Sequence, residues 1–267
     1  MDFSVVLVGA GNMGGAMLRG WIAGGLSPSR VIVLDPNPSE AMRTFIEEAG
    51  ITSRGSPDGI ASPDVLLVAI KPQMMENVLP TLQSLGGDKT VVVSVAAGTT
   101  IAYLVKCFPK STIVRSMPNT PSLVGRGITV ACPDSRINEV QRKQVSQLLS
   151  ATGKLEWVMD EKLIDAVTAV SGSGPAYVFH LAECMAEAGK AAGLPDALAD
   201  KLARETVCGA GELMFQSSDT PDVLRKNVTS PGGTTAAALE VLMKEDGMPR
   251  LLNEAIKAAK KRSEELS

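Results

Sequence analysis

The fold of the first half of the chain is decided by one stretch near its start, Val5-Val6-Leu7-Val8-Gly9-Ala10-Gly11-Asn12-Met13-Gly14. The apolar run has the pattern of a buried strand, and the remainder has the spacing G-x-G-x-x-G that joins a strand to the first helix of a dinucleotide-binding fold. Gly9 permits a tight turn, Gly11 leaves room for a pyrophosphate, and Gly14 lets the helix lie close to the strand. We therefore predict that these six residues bind a dinucleotide, with its phosphates at the helix N-terminus.

Short apolar runs continue to alternate with amphipathic segments up to about residue 160. This alternation is typical of an α/β fold, in which a parallel sheet carries helices on both faces. We predict a Rossmann-like NAD(P)-binding domain over residues 1–160. The predicted strands are Val5–Val8, Val31–Leu34, Val65–Ile70, Val91–Val95, Ile113–Val114, Ile128–Ala131 and Leu155–Val158, and the predicted helices include Met13–Ala23 and Glu139–Leu149.

The pattern changes after residue 160, because no further strand-like apolar run appears. We predict an all-helical C-terminal domain over residues 161–267, and its apolar surface is expected to face a second subunit. The predicted helices are Glu161–Val170, Pro175–Ala192, Pro195–Met214, Thr235–Met243 and Pro249–Glu265.

The carboxyl edge of the predicted sheet carries the residues expected to contact the rest of the dinucleotide. Asp35 follows the second strand, where an acidic residue binds the ribose hydroxyls of NAD and repels a 2′-phosphate. The local chemistry therefore favours NADH, although Asp35 could instead only begin a turn. Further cofactor contacts are expected from residues after this strand and the next two, namely Asn37, Ala69, Lys71, Pro72 and Ala97.

The composition excludes several other classes of function. The net charge is −3, from 26 Lys and Arg against 29 Asp and Glu, so nucleic acid is not an expected partner. The four cysteines form no C-x-x-C pair and there is one histidine, so no metal site is expected. Neither a signal peptide nor a membrane span is predicted, and a cytoplasmic location is expected.

Two clusters of small and hydroxyl residues interrupt the helical half, at Ser171-Gly172-Ser173-Gly174-Pro175-Ala176-Tyr177 and at Val228-Thr229-Ser230-Pro231-Gly232-Gly233-Thr234-Thr235. Each precedes an Ala-rich segment, so each predicts a helix N-terminus with unpaired N–H groups that could hold a carboxylate. Simple helix capping is the alternative for both. The single histidine, His180, is expected in the middle of a helix with a structural role, and Tyr177 is expected to pack.

These motifs resemble those of the pyrroline-5-carboxylate reductase family, and the resemblance spans nearly the whole chain in the family's order. It rests on the Gly9–Gly14 loop, on Arg115-x-Met117-Pro118-Asn119-Thr120-Pro121, on Gly172–Tyr177, and on Leu224-x-x-x-Val228 continuing to Thr235, which looks like the family signature. The resemblance implies a nucleotide domain followed by a helical dimerisation domain. It also implies NADPH- or NADH-dependent reduction of 1-pyrroline-5-carboxylate to L-proline, the final step of proline biosynthesis.

The resemblance also assigns roles to single residues. Thr235 is expected to be catalytic, donating a hydrogen bond to the substrate nitrogen, and Asn227 is expected to contact the cofactor. The substrate carboxylate is expected on the turn formed by Ser230, Gly232, Gly233 and Thr234, together with Thr235. The family implies a homodimer through the helical domain, with further assembly to a decamer as an alternative.

Two positions depart from the family pattern. Ser56 stands where an asparagine often contacts the adenosine, and Asp35 stands where the family often carries a small hydroxyl residue and prefers NADPH. Ser56 is still expected to contact the cofactor. The choice between NADPH and NADH therefore stays open.

Two other functions remain as alternatives. A 3-hydroxyacid dehydrogenase shares the general layout, but its family uses a lysine four residues after the second glycine of a G-x-G run, where this chain has Val178. A non-catalytic NAD(P)-binding redox sensor would have no use for a carboxylate-binding turn such as Ser230–Thr235.

Overall fold

A computed structural model of the protein describes residues 2–266. Its sheet has eight strands in the order β3-β2-β1-β4-β5-β6-β7-β8. Neighbouring strands are parallel except β6 and β7, which run antiparallel. The strands are β1 Val5–Val8, β2 Val31–Leu34, β3 Thr52–Arg54, β4 Val65–Val68, β5 Val91–Ser94, β6 Thr112–Met117, β7 Gly127–Pro133 and β8 Gly153–Trp157.

The helices on this sheet differ in whether a side chain caps their N-terminus. Ser39 caps α2, and Asn138 and Gln141 form a capping box at α5, whereas α1 starts after Gly11 with no side-chain cap. The uncapped end of α1 is therefore available to a ligand. These helices are α1 Asn12–Ala23, α2 Glu40–Glu48, α3 Met75–Val78, α4 Ile101–Cys107, α5 Glu139–Leu149 and α6 Leu163–Val167.

The sheet is covered on both faces, and its central strands alternate between two apolar clusters. Val5 and Leu7 point into a cluster with Trp21, whereas Val6 and Val8 point into one with Leu104. Strand β1 lies between β2 and β4 and is completely buried. The strand order reverses beside β1, which places a ligand crevice at its carboxyl end. The predicted α/β fold with a Rossmann-like first half is confirmed.

The chain divides into two compact units between Gly172 and Ser173, and the residues from Ala259 onward belong to the first unit again. The second unit covers Ser173–Ala258 and is entirely helical apart from its turns. The predicted domain boundary after residue 160 lies earlier in the chain than this division, and it stays a prediction.

The helices that follow α6 are α7 Gly174–Ala191, α8 Asp196–Gln216, α9 Pro221–Asn227, α10 Thr234–Leu242 and α11 Met248–Leu266. None of the helices in residues 2–266 is long and apolar enough to cross a membrane.

In the first of the two small-residue clusters, α7 begins at Gly174 with no side-chain cap, as predicted, but the residues before it are also helical. A π-helical turn over Thr168–Gly172 follows α6, and Ser173 keeps a helical backbone with φ −84° and ψ −22°. The hydroxyls of Thr168 and Ser171 bond back to the carbonyls of Ile164 and Val167. The chain that leads into α7 therefore forms a local helical bulge and not an extended loop.

Other differences from the predicted elements have simple causes. Strand β3 was not predicted because all its residues are exposed, so it has no apolar pattern. Helix α9 was not predicted because it is short and mostly polar. Strand β7 is antiparallel to β6 because a short connection of one 3₁₀ turn, over Thr120–Val124, joins the two strands.

Candidate active site

The Gly9–Gly14 loop has the geometry that the sequence predicts for a phosphate-binding turn. Gly9 has a φ of +87°, and a methyl group at Gly14 would lie 2.0 Å from the Gly9 carbonyl oxygen. A methyl group at Gly11 would meet nothing within 4 Å. Gly9 and Gly14 are therefore required by the fold itself, while Gly11 is open towards solvent, where a pyrophosphate would approach the uncapped end of α1.

Asp35 organises this loop directly. One of its carboxylate oxygens accepts from the Ala10 backbone N–H at 2.8 Å, and the other accepts from the Asn37 N–H at 2.9 Å. The second bond is the Asx turn that the sequence left as an alternative, and it coexists with a position facing the cleft. Because each carboxylate oxygen can accept a further bond, Asp35 retains capacity for ribose hydroxyls.

Two cavities meet at Asp35. One has a volume of about 450 Å³ and apolar walls from Leu34, Ile70 and Met74. The other has a volume of about 570 Å³ and runs along α1 past Asn12. Gly11, Asp35 and Asn37 line both cavities, so this point is where an adenosine, its ribose and the pyrophosphate could lie together.

The other predicted cofactor residues are distributed unevenly around these cavities. Ala69 and Lys71 line the smaller cavity at the end of β4, with Lys71 exposed. Pro72 opens the following 3₁₀ turn, and Met13 and Ala97 are only partly buried. Ser56 is exposed and its hydroxyl donates to Asp58, so its side chain is engaged locally.

The second predicted site, Ser230–Thr235, is a real helix N-terminus. Gly232 has a φ of +68°, the Gly233 N–H donates to the Ser230 carbonyl at 3.0 Å, and α10 begins at Thr234 with no side-chain cap. Thr235 therefore occupies the second position of the helix, where backbone N–H groups have no helical acceptor. Such a turn can bind a carboxylate and place the Thr235 hydroxyl beside it.

The remaining candidates in the second unit are exposed, except Tyr177, which is partly buried. Asn227 is the exposed last residue of α9, and Tyr177 lies in the first turn of α7. His180 is not buried: its Nδ1 lies 2.9 Å from Glu183, and its Nε2 lies 3.5 Å from the Cys184 sulfur. These contacts occur along one exposed helix face.

Two cysteine thiols in the first unit, those of Cys107 and Cys132, have raised pKa values. Burial, and secondarily the negative charge of Glu161, raises the pKa of the Cys132 thiol. Burial likewise raises the pKa of the Cys107 thiol. Both cysteines therefore stay protonated near neutral pH.

Sequence reasoning missed Arg19, a cation in the wall of the larger cavity. Its guanidinium lies 4.1 Å from the centre of the Phe45 ring and donates to the Ala41 carbonyl at 3.2 Å. The signal was its spacing: Gly11, Gly15 and Arg19 follow one another at intervals of one helical turn, so they share the face that lines the cavity.

Comparison with known proteins agrees with this arrangement. The family described as pyrroline-5-carboxylate reductase dimerisation matches residues 161–266, and that described as NADP oxidoreductase, coenzyme F420-dependent, matches residues 4–98. The pyrroline-5-carboxylate reductase of Synechocystis sp. is 39% identical over 270 residues, covering 100% of this chain and 99% of that protein. That of Escherichia coli is 36% identical, with the same coverage.

Solved structures give the same result. A pyrroline-5-carboxylate reductase from Coxiella burnetii has a TM-score of 0.91 at 34% identity, covering 100% of this chain and 99% of that one. The Plasmodium falciparum pyrroline carboxylate reductase with NADP bound has a TM-score of 0.82 at 27% identity, covering 99% of this chain and 98% of that one.

A 3-hydroxyisobutyrate dehydrogenase from Salmonella typhimurium has a TM-score of 0.54 at 17% identity, covering 98% of this chain and 95% of that one. That likeness shows the fold alone. By its full-length similarity to the reductases of Synechocystis and Escherichia coli, the chain belongs to the pyrroline-5-carboxylate reductase family.

Proposed function

We propose that this chain reduces 1-pyrroline-5-carboxylate to L-proline with NADPH or NADH, the final step of proline biosynthesis. The observation that carries the proposal is the uncapped N-terminus of α10 behind the turn Ser230–Gly233, in a family member that also has an open dinucleotide loop. A redox sensor has no need of the first feature. A 3-hydroxyacid dehydrogenase needs an acid–base group where this chain has Val178.

The reaction asks little acid–base chemistry of the protein. A bound reduced nicotinamide supplies a hydride, which forms the new C–H bond at the imine carbon while the π electrons of the C=N bond move to nitrogen. The imine is already protonated, so nitrogen keeps its proton and becomes the amine of proline. The chain must therefore bind the substrate carboxylate, orient the C=N bond and stabilise the nitrogen with a hydrogen bond.

The substrate roles follow the turn at the start of α10. Backbone N–H groups near Gly232, Gly233 and Thr234, with the Ser230 hydroxyl, hold the carboxylate, because this end of the helix carries unpaired donors and positive partial charge. The Thr235 hydroxyl donates to the lone pair that develops on the substrate nitrogen as the hydride reaches the imine carbon. Asn227, at the end of α9, contacts the cofactor.

The cofactor roles follow the first unit. The loop Gly9–Gly14 holds the pyrophosphate, and the adenosine lies in the cavity formed after β2 and β4, with Asp35 on its ribose. The remaining contacts are those of Asn37, Ser56, Ala69, Lys71, Pro72 and Ala97. With Asp35 in this place, a 2′-phosphate meets a negative charge, which favours NADH.

The chain works as a homo-oligomer, for which the family's dimerisation domain and the exposed apolar side chains of the second unit are the support. We propose a homodimer through the helical domain, a decamer of such dimers as a further assembly, and a cytoplasmic location.

The test is isotope transfer. Protein is incubated with 1-pyrroline-5-carboxylate and NADH or NADPH carrying deuterium on the transferred face, and the proline is analysed by mass spectrometry. We expect one deuterium on the ring carbon that was the imine carbon, which is bonded to nitrogen and does not carry the carboxylate. The loss of nicotinamide absorbance should match the amount of labelled proline. Unlabelled proline, or no turnover alongside oxidation of 3-hydroxyacids by NAD, would contradict the proposal.

A further inference from the structure

The loop that follows β5, Ala96–Thr100, is held from two sides by parts of the chain distant in sequence. This loop lies at the carboxyl edge of the sheet, where the nicotinamide half of a dinucleotide is expected to lie. On one side, the Ile101 N–H at its end donates to the Glu161 carboxylate at 2.8 Å. On the other side, the Leu266 backbone lies against Gly98, so that a methyl group at Gly98 would be 2.6 Å from the Leu266 carbonyl oxygen.

The Ile101–Glu161 contact and the end of α11 near Leu266 are connected through one buried arginine. Arg115, on β6, is 2% exposed; its guanidinium lies 2.9 Å from Glu161 and 3.6 Å from Asp165. The Ser263 hydroxyl, in the last turns of α11, donates to the same Asp165 oxygen at 2.7 Å. The end of α11 is therefore tied to the sheet by a hydrogen bond to a carboxylate that itself faces a buried cation.

The polarity of this network needs a reason, because a buried arginine and its carboxylates carry a desolvation cost that apolar packing would avoid. Gly98 adds a second constraint, since its φ of +73° and its contact with Leu266 both exclude a side chain. Directional bonds fix position better than apolar contacts do. The position of the loop is thus set by residues remote from it in sequence.

We propose that Ser263, Asp165 and Arg115 are positioning residues that seat the C-terminal end of α11 against Gly98 and so fix the Ala96–Thr100 loop for the nicotinamide ring. This inference rests on the proposed function, since it requires a dinucleotide in the cleft. It predicts that loosening the network weakens contacts to the nicotinamide and spares those to the adenosine half.

The test compares binding of NADH with binding of ADP-ribose, which lacks the nicotinamide ring, by calorimetric titration of the full chain. Ser263→Ala removes the bond to Asp165, and Ser263→Thr keeps a hydroxyl. The matched control is Ser111→Ala, because Ser111 is equally buried and hydrogen-bonded to Gly87 but precedes β6, at the opposite edge of the sheet.

For Ser263→Ala we expect about a 3- to 10-fold loss of NADH affinity, the size of one typical net hydrogen bond, with ADP-ribose affinity within about 2-fold. Ser263→Thr should recover NADH affinity, and Ser111→Ala should leave both ligands unchanged. Equal losses for both ligands, or no loss for either, would overturn the inference while leaving the reductase proposal intact. Failure of the unmodified protein to bind either NADH or NADPH would overturn both.

Discussion

The two units of this chain differ in how many of their apolar side chains are buried within a single copy. In the first unit, strand β1 is wholly buried and Trp21 and Met17 are 0% exposed. In the described part of the second unit, the buried apolar side chains are three alanines, Ala186, Ala199 and Ala203, while Phe179 is 64% exposed. The first unit buries an apolar core within a single chain. The second unit exposes apolar side chains of the kind that are buried against another copy in an oligomer.

This difference separates the tasks of the enzyme. The unit with a complete core carries the dinucleotide loop, whose geometry needs close packing between Gly9 and Gly14. The unit with the incomplete core carries the turn at the start of α10 that we propose binds the substrate. Changes in the Gly9–Gly14 loop should therefore affect cofactor binding, and changes at the start of α10 or on the exposed face of α7 should affect turnover or assembly.

The largest effect is expected at the substrate turn. Thr235→Ala removes the proposed donor to the substrate nitrogen and should lower kcat by about 100-fold, the usual cost of losing one transition-state hydrogen bond. Binding of NADH, measured by fluorescence titration, should stay the same. Thr235→Ser keeps the hydroxyl and should retain most of the turnover, and a Thr235→Ala variant with nearly normal kcat would remove Thr235 from the mechanism.

The glycines of the dinucleotide loop should separate folding from binding. Gly14→Ala places a methyl group 2.0 Å from the Gly9 carbonyl oxygen and should lower the free energy of unfolding by about 2–3 kcal/mol. Gly11→Ala meets nothing in the chain, so its thermal melting should be unchanged while NADH affinity falls by about 30-fold. Equal melting temperatures for both variants would show that the contact at Gly14 is not structural.

Assembly should depend on the second unit alone. Phe179→Glu puts a charge on the exposed apolar face of α7 and should weaken self-association by at least about 10-fold, because burying an unpaired charge is costly. Light scattering should then show a shift towards the 27.9 kDa monomer. Val140→Glu is the matched change in the first unit, where Val140 is 66% exposed, and should leave the mass unchanged.

The smallest effect is expected in cofactor choice. Asp35→Ser removes the negative charge beside the ribose site and should move the ratio of kcat/KM values towards NADPH by about 10-fold or less. Part of the change should appear as weaker binding of both cofactors, since Asp35 also holds the Ala10 N–H. An unchanged ratio would show that Asp35 serves only the turn.

Local patterns account for most of what could be predicted from the sequence. Strands β1 and β2 and helix α5 begin and end at the predicted residues, because their apolar runs and caps are encoded within each segment. The Gly9–Gly14 loop was predictable because its backbone conformation and close packing require glycine at fixed positions. The contacts that were missed join distant segments: Arg115 with Asp165, and Gly98 with Leu266, have no signal in any short window.

The cluster Ser171–Tyr177 shows the opposite error. Gly, Ser and Pro suggested a chain break, but the hydroxyls of Thr168 and Ser171 bond back along the helix and a π turn absorbs the irregularity. Composition alone could not distinguish a break from a bulge. Both clusters contain a helix start, but only at Ser230–Thr235, where Gly232 takes a positive φ, is the helix preceded by a non-helical turn.

The most direct test of the central claim is a crystal structure of the protein with proline and NAD(P)⁺ bound. We expect the proline carboxylate on the backbone N–H groups of the turn at the start of α10, its nitrogen beside the Thr235 hydroxyl, and the dinucleotide phosphates on the Gly9–Gly14 loop. Proline bound away from that turn, or a dinucleotide whose phosphates do not meet the N-terminus of α1, would contradict the account.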